Sequence, residues 1–323
     1  MSRALRGPVA GVHSGPGHDR ARRSVAASDV VMSLSLLGLW SLAWCLPSGA
    51  WSPVSNSITR AKAAFLRSRF PAPAPAVEAA FPQQPAEFVQ RIGRELDANR
   101  RELRMQILRK NAPWGWTPDI QLEGTRYLQD ALQAHCGVVL WVSHFVFCGL
   151  IAKIALHDAG YAVTHLSRPE HGFSKTKFGI RVLNPLRCSV EDRNLAGRIV
   201  IDRSNMHATM RRVQQALEGN GIVSITAGAW EARQIVSAPM FAGRLSLATG
   251  APALAWSCGA ALIPVHGVRQ GGRRFRVVVD KPLSVDRSLA KHAFADAAVS
   301  AYVESLQPFV ARYPGQWRGW GSL

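Results

Sequence analysis

Paired cysteines are missing from this sequence. The five present, Cys45, Cys136, Cys148, Cys188 and Cys258, are odd in number and widely separated. That excludes a disulfide framework, leaves no pair at metal-ligand spacing and implies a reducing compartment. Cys148 reads as a packing residue, because a free cysteine in an apolar run behaves as a small hydrophobe. Acidic residues are scarce: 21 Asp and Glu face 39 Lys and Arg, a net charge of +18. Such a balance favours an anionic partner. Long Lys/Arg blocks, zinc-finger spacings and an aromatic RNA-binding signature are lacking, so charge alone supports nucleic-acid binding. With ten tryptophans and an apolar segment near the N-terminus, a membrane surface is the better fit, and no nucleic-acid partner is expected. No repeat of fixed period occurs, and no uncharged apolar run reaches the roughly 20 residues of a comfortable membrane span.

At 323 residues and 47% apolar composition the chain can bury one large core. Residues 1–29 hold almost no large apolar side chain and read as a disordered basic tail; Met32 offers an alternative start. Residues 30–70 form a membrane-associated segment. Its apolar part, Val30 to Leu46, is uncharged, ends at Pro47 and carries arginines on both sides. Positive flanks on both sides argue against a simple crossing and for a helix lying in the cytoplasmic leaflet. A cleaved signal peptide is the competing reading, disfavoured by Trp40, Trp44 and the long lead-in. Residues 71–85 are a proline-rich linker. Residues 86–323 then read as one α/β domain. Its first helix, 86–110, has Phe88, Ile92, Leu96, Leu103 and Ile107 in one stripe and arginines on the other faces. Further helices are expected at 122–134, 146–159, 206–218, 244–257 and 289–311. Strands are expected at 137–142, 161–166, 198–202, 221–226, 260–265 and 274–280, with an irregular stretch at 167–196. Strands separated by helices imply crossover connections and a sheet flanked by helices.

Chemistry gathers at the expected strand ends. Ser143-His144 directly follows the apolar strand 137–142, where ligands of open α/β sheets bind. Imidazole there suits a general base near neutral pH, although a core histidine bonded to a carbonyl has the same sequence signature. Asp202-Arg203 closes a second strand, and Arg203 offers a fork for phosphate or a surface ion pair. Ala227-Gly228 closes a third, and Ile263-Pro264-Val265 lies in a fourth.

These four pieces, in this order, resemble the glycerolipid and lysophospholipid acyltransferase superfamily. The blocks Pro239–Arg244, Thr249–Ala255, Gly259–Val265 and Pro314–Trp320 are similar to the branch of bacterial lipid A biosynthesis (lauroyl/myristoyl) acyltransferases. The resemblance covers roughly residues 32–320 and implies an α/β acyltransferase-like domain with a mixed sheet flanked by helices behind a membrane-associated segment. It also implies O-acyl transfer from an acyl carrier protein or CoA thioester to a hydroxyl of a lipid or glycolipid, with no further cofactor and no metal. Peripheral or monotopic attachment to the cytoplasmic face of the inner membrane is expected from the short apolar segment with positive charge on both sides.

Two positions depart from the family pattern. The acid that follows the family's histidine after four residues is replaced by Gly149, and the acid before the glycine of the third motif is Ala227. Such an acid orients the imidazole and stabilises its protonated form, which glycine cannot do. Glu231 is the first candidate to replace it, with Glu170 and Asp202 behind. The expected catalytic set is therefore His144 and Glu231, and the expected substrate-binding set is Arg203, Asp202, Gly228, Arg168 and Arg244. The loss of both acids also supports a different class of protein, a degenerate member that binds acyl lipid or scaffolds a lipid or polyketide-type assembly system.

Overall fold

The computed structural model describes residues 24–66, 74–112, 115–229, 232 and 234–323. Its centre is a seven-stranded sheet with strand order β1-β9-β8-β2-β5-β3-β4. The strands are β1 Asp119–Glu123, β2 Val138–Val142, β3 Val163–Ser167, β4 Gly197–Val200, β5 Ile222–Thr226, β8 Ala261–Gly271 and β9 Arg274–Val279. From β8 to β4 all neighbours are parallel, while β9 returns antiparallel to β8 and β1 runs parallel to β9. The sheet is thus mixed and helix-flanked, as expected. All five residues of β2 are buried. A central parallel strand is covered on both faces, which is why it reads as an unbroken apolar run. Gly137 launches β2 at φ +64°, and a Cβ there would run into the Leu217 carbonyl oxygen, so both dihedral and space demand glycine.

The helices are α1 Ala27–Cys45, α2 Trp51–Leu66, α3 Ala74–Ala80, α4 Ala86–Lys110, α5 Thr125–Gln133, α6 Cys148–Asp158, α7 Asn184–Asp192, α8 Met206–Glu218, α9 Gly250–Cys258 and α10 Lys291–Arg312. Helix α4 has the expected bounds and buries Ile92, Leu96, Leu103 and Ile107. Its inward face also buries Asn99, Glu102 and Gln106, polar positions that a purely apolar stripe does not mark. Two of them are held: Asn99 donates to the Gly315 carbonyl at 2.9 Å, and Glu102 pairs with Arg269. Helix α1 lies along α4, burying Leu36, Leu39 and Ala43. Arg109 donates to the carbonyls of Ala43 and Trp44 at 2.6 and 2.8 Å, satisfying orphan acceptors at the α1 C-terminus. The opposite face leaves Val30, Val31, Leu34, Leu37 and Trp40 exposed.

Five stretches differ from the sequence reading. Helix α1 begins at Ala27, inside the expected tail, because Asp29 accepts from the Ala26 amide and from the Ser174 and Thr176 hydroxyls. Residues 74–80 of the proline-rich stretch are helical. Strand β1 precedes α5 where one helix was expected; Gly124, at φ +79°, separates them. The irregular stretch 167–196 contains a π-turn at Gly179–Leu183 and α7. Residues 244–248 are not helical but form β7 Gly243–Ala248, paired antiparallel with β6 Ile235–Met240. There Leu245 and Leu247 point inward between more exposed neighbours, a period of two followed at once by the helical run of α9.

Candidate active site

His144 stands two residues beyond β2, at the carboxyl rim of the parallel strands. Its backbone is fixed from both sides. The Ser143 amide donates to the Val265 carbonyl of β8 at 2.8 Å, and the Arg318 amide donates to the His144 carbonyl at 2.9 Å. The Val146 amide donates to the Gln316 carbonyl at 2.7 Å, and Phe145 and Trp317 form an antiparallel bridge. The C-terminal segment is therefore clamped alongside residues 144–146. A narrow cleft beside the histidine is lined by His144, Ala227, Gly228, Leu245, Leu247, Tyr302, Leu306 and Trp317. Its walls come from the β5 end, the β6–β7 hairpin, α10 and the C-terminal segment. A wider hollow is lined by Asn99, Arg269, Arg312 and Gln316 among others, and the histidine does not line it.

The electrostatics around His144 are unusual for a general base. Burial holds its imidazole well below the ordinary range, and Arg318, Arg100, Arg187 and Arg168 push it further down. A Cβ at Gly149 would have only the Arg187 guanidinium within 4 Å, at 3.7 Å. Arg318 is pushed down to about 9 by burial and by Arg187, Arg100, Arg104 and Arg168. Its buried Nε has no hydrogen-bond partner among the described residues.

The expected site residues separate into three groups. His144, Ala227 and Gly228 meet at one cleft, because β2 and β5 are neighbours. Asp202 and Arg203 follow β4, three strands from β2 and so about 14 Å away at ordinary strand spacing. Arg203 there forms a bidentate pair with Glu170, at 2.5 and 2.9 Å, so its fork faces a carboxylate of the chain. Asp202 instead accepts from the Ser204 amide and hydroxyl of its own turn. Arg168 follows β3, two strands from β2, and acts on both His144 and Arg318. Arg244, on the exposed edge of the hairpin, donates to the Ser237 carbonyl. Glu231 lies outside the described residues.

Sequence reasoning did not single out Arg100, Arg104, Arg187 or Arg318. The one available signal was the four-residue spacing of Arg100 and Arg104, which puts both on one face of α4. It also missed Glu191. This fully buried carboxylate accepts from Lys153 at 2.5 Å, Arg187 at 2.7 Å and Arg198 at 3.1 Å, and contacts the His171 ring nitrogen at 2.9 Å. His165, His171 and Glu191 have ligand atoms within 4.8 Å of one another. Three cations already occupy that carboxylate's surroundings, which disfavours a divalent ion there.

Residues 20–318 match the family model described as Bacterial lipid A biosynthesis acyltransferase. The match spans most of the chain, and the chain belongs to this acyltransferase family. Comparison with curated proteins gives no significant match.

Proposed function

We propose that the chain transfers a fatty acyl group from an acyl carrier protein or CoA thioester to a hydroxyl of a lipid or glycolipid, with His144 as the general base. The observation that carries this reading is the placement of His144 in a cleft shared with Gly228 and the apolar side chains Leu245, Leu247 and Leu306. His144 takes the hydroxyl proton as the oxygen attacks the thioester carbonyl. The Gly228 amide is the assigned donor to the resulting oxyanion. Collapse forms the ester and expels the thiolate, which recovers the proton from the imidazolium. The thioester is an activated donor, so much of the rate comes from positioning. Arg168 is assigned to the acceptor. Arg203 reaches an acceptor anion only by giving up Glu170.

Purified protein in mixed micelles with acyl thioester and lipid acceptor tests this. His144→Ala should lower transfer by about 10²- to 10⁴-fold, the usual worth of general base catalysis, while donor binding persists. Equal turnover by wild type and variant, with acyl lipid still bound, would instead support the binding-protein reading that Gly149 favours.

The same proposal places the protein on the cytoplasmic face of the inner membrane. Helix α1 is apolar enough to enter a bilayer, yet one side is packed on α4 and only the other is bare. That arrangement supports an in-plane helix embedded by its exposed face. Protease added outside intact inner-membrane vesicles of known orientation should cut residues 120–320 only from the cytoplasmic side; cleavage from the other side would overturn the placement.

A further inference from the structure

We infer that the hydroxyl of Tyr302 donates to the reacting carbonyl oxygen in the cleft beside His144, as a second donor with the Gly228 amide. This rests on the proposed acyl transfer and adds to it a residue that no sequence pattern marks.

Three observations converge on this phenol. First, Tyr302 is a cleft residue: it lines the narrow space with His144 and Gly228, and so does Leu306, one turn further along α10. Second, its oxygen is orphaned. Tyr302 is fully buried, yet its hydroxyl has no hydrogen-bond partner among the described residues. Other buried atoms lack one too, among them Trp51 Nε1 and His266 Nδ1, but those residues do not line the cleft. A buried hydroxyl left unbonded is destabilising, and a tyrosine tip ordinarily finds a partner when buried. Trp320 shows the ordinary outcome, its Nε1 donating to the Pro314 carbonyl at 3.1 Å. Third, the ring is fixed. It packs on Trp141 of β2, with 4.2 Å between centroids, and so is held against the strand whose end carries His144. Phenylalanine would fill the same space and make the same ring contact without an orphaned oxygen. The hydroxyl therefore serves something other than packing.

Polar neighbours do not claim it. The His266 ring lies 6.0 Å away between centroids, and its Nε2 is bonded to Ser305, whose own hydroxyl donates to Asp280. The Cys148 thiol is engaged with Ser143 and the Val265 carbonyl. Burial raises the phenol well above its ordinary range, so it stays protonated and able to donate. In the transfer step the acceptor oxygen bonds to the thioester carbon, its proton passes to His144, and the carbonyl π pair moves onto oxygen. That oxygen accepts from the Gly228 amide and the Tyr302 hydroxyl. The C–S bond then breaks, the carbonyl re-forms, and the thiolate takes the proton from the imidazolium. Tyr302 lends a hydrogen bond and transfers no proton. A fixed donor in an apolar cleft gains most where negative charge develops, and it needs no reorganisation at that moment.

The test uses the full chain in detergent micelles and compares wild type, Tyr302→Phe and Tyr161→Phe. Tyr161 is the control, because its hydroxyl donates to the Thr125 carbonyl and it does not line the cleft. The probe is a dodecanoyl thioester isotopically labelled at the carbonyl carbon, presented in turn on CoA and on acyl carrier protein, with no acceptor present. Its carbonyl stretching frequency should fall on binding to wild type and to Tyr161→Phe, and return toward the micelle value in Tyr302→Phe. With a lipid acceptor added, Tyr302→Phe should lower kcat by about 10²- to 10³-fold, the usual worth of one oxyanion donor, with donor KM nearly unchanged. Its thermal midpoint should equal or exceed that of wild type, because losing an unbonded buried hydroxyl leaves the packing whole. A stretching frequency or a kcat unmoved by Tyr302→Phe overturns the proposal, and a lowered midpoint alongside would assign the hydroxyl to the fold. Absence of thioester binding by wild type overturns both this proposal and the transfer reading. A bound thioester whose carbonyl responds to Tyr302 but which is never transferred would sink the catalytic reading alone.

Discussion

Two charge clusters share Arg187, and they are bonded differently. Around Glu191, a buried carboxylate is ringed by Lys153, Arg187, Arg198 and His171, and each of its oxygens is used. Around His144, several arginines weigh on a buried imidazole, and the Nε of Arg318 has no hydrogen-bond partner among the described residues. The first cluster is closed in its hydrogen bonds: both Glu191 oxygens are taken up inside the chain, which ties α6, α7 and β4 together. The second is less completely bonded among the described residues, with the Arg318 Nε buried and unpartnered there. Arg187 bonds Glu191 and also weighs on His144, so it belongs to both.

The largest test of this contrast is to open the closed cluster. Glu191→Ala strands buried cations without their anion, and breaking such a pair costs about 3–5 kcal/mol. Denaturant unfolding should show that loss at unchanged slope; a loss under about 1 kcal/mol would mean the cluster is not closed as described.

Acid offers a second probe. His266 is fully buried between β8 and α10, bonded through its Nε2 to Ser305 at 2.7 Å, and burial pushes it down to about 4. A histidine depressed in the folded state binds its proton more readily when unfolded. Its contribution is therefore complete above about pH 6.5 and is lost as pH falls toward 4, amounting to about 3 kcal/mol across that window. His144 and His165, lowered for the same reason, act in the same direction. Glu191 is held well below its ordinary range by Lys153, Arg187 and His171 despite its burial, so its stabilisation persists through that window. His266→Gln should flatten the acid limb of a melting profile; an unchanged limb would assign it to other groups.

The smallest effect should come from the arginines near His144. Arg318→Met removes a guanidinium whose Nε has no partner among the described residues while keeping the amide that bonds His144. Stability should change by no more than about 1 kcal/mol, or rise, because exchanging a poorly bonded charge for packed apolar surface is often neutral or favourable. A loss like that of Glu191→Ala would erase the distinction between the clusters.

The two regions also differed in how well they could be read from residues. The alternation of strand and helix, the bounds of α4 and α8 and the buried β2 follow from periodicity and composition. His144 and Gly228 were legible because neighbouring parallel strands deliver their ends to one place. The β6–β7 hairpin was not, since Leu245 and Leu247 run directly into the helical spacing of α9. Glu191 was hidden in a basic, turn-rich stretch where a carboxylate ordinarily reads as solvated. Arg318 was hidden for a different reason: its place beside His144 depends on a bridge between Phe145 and Trp317, a pairing between distant parts of the chain that no local pattern announces.

That bridge has a consequence for how the molecule comes apart. One wall of the cleft is a short C-terminal strip held by two backbone bonds to residues 144–146, by the Gln316 side chain on the Arg269 backbone, and by the mutually packed rings of Trp317 and Trp320, 4.7 Å between centroids. Peeling it away leaves the seven-stranded sheet intact, so its release is a local opening that costs less than global unfolding. The amides of Val146 and Arg318 exchange with solvent through that opening, ahead of those in β2. Under mild heating the cleft beside His144 should therefore open before the fold is lost, which hydrogen exchange at these amides would show.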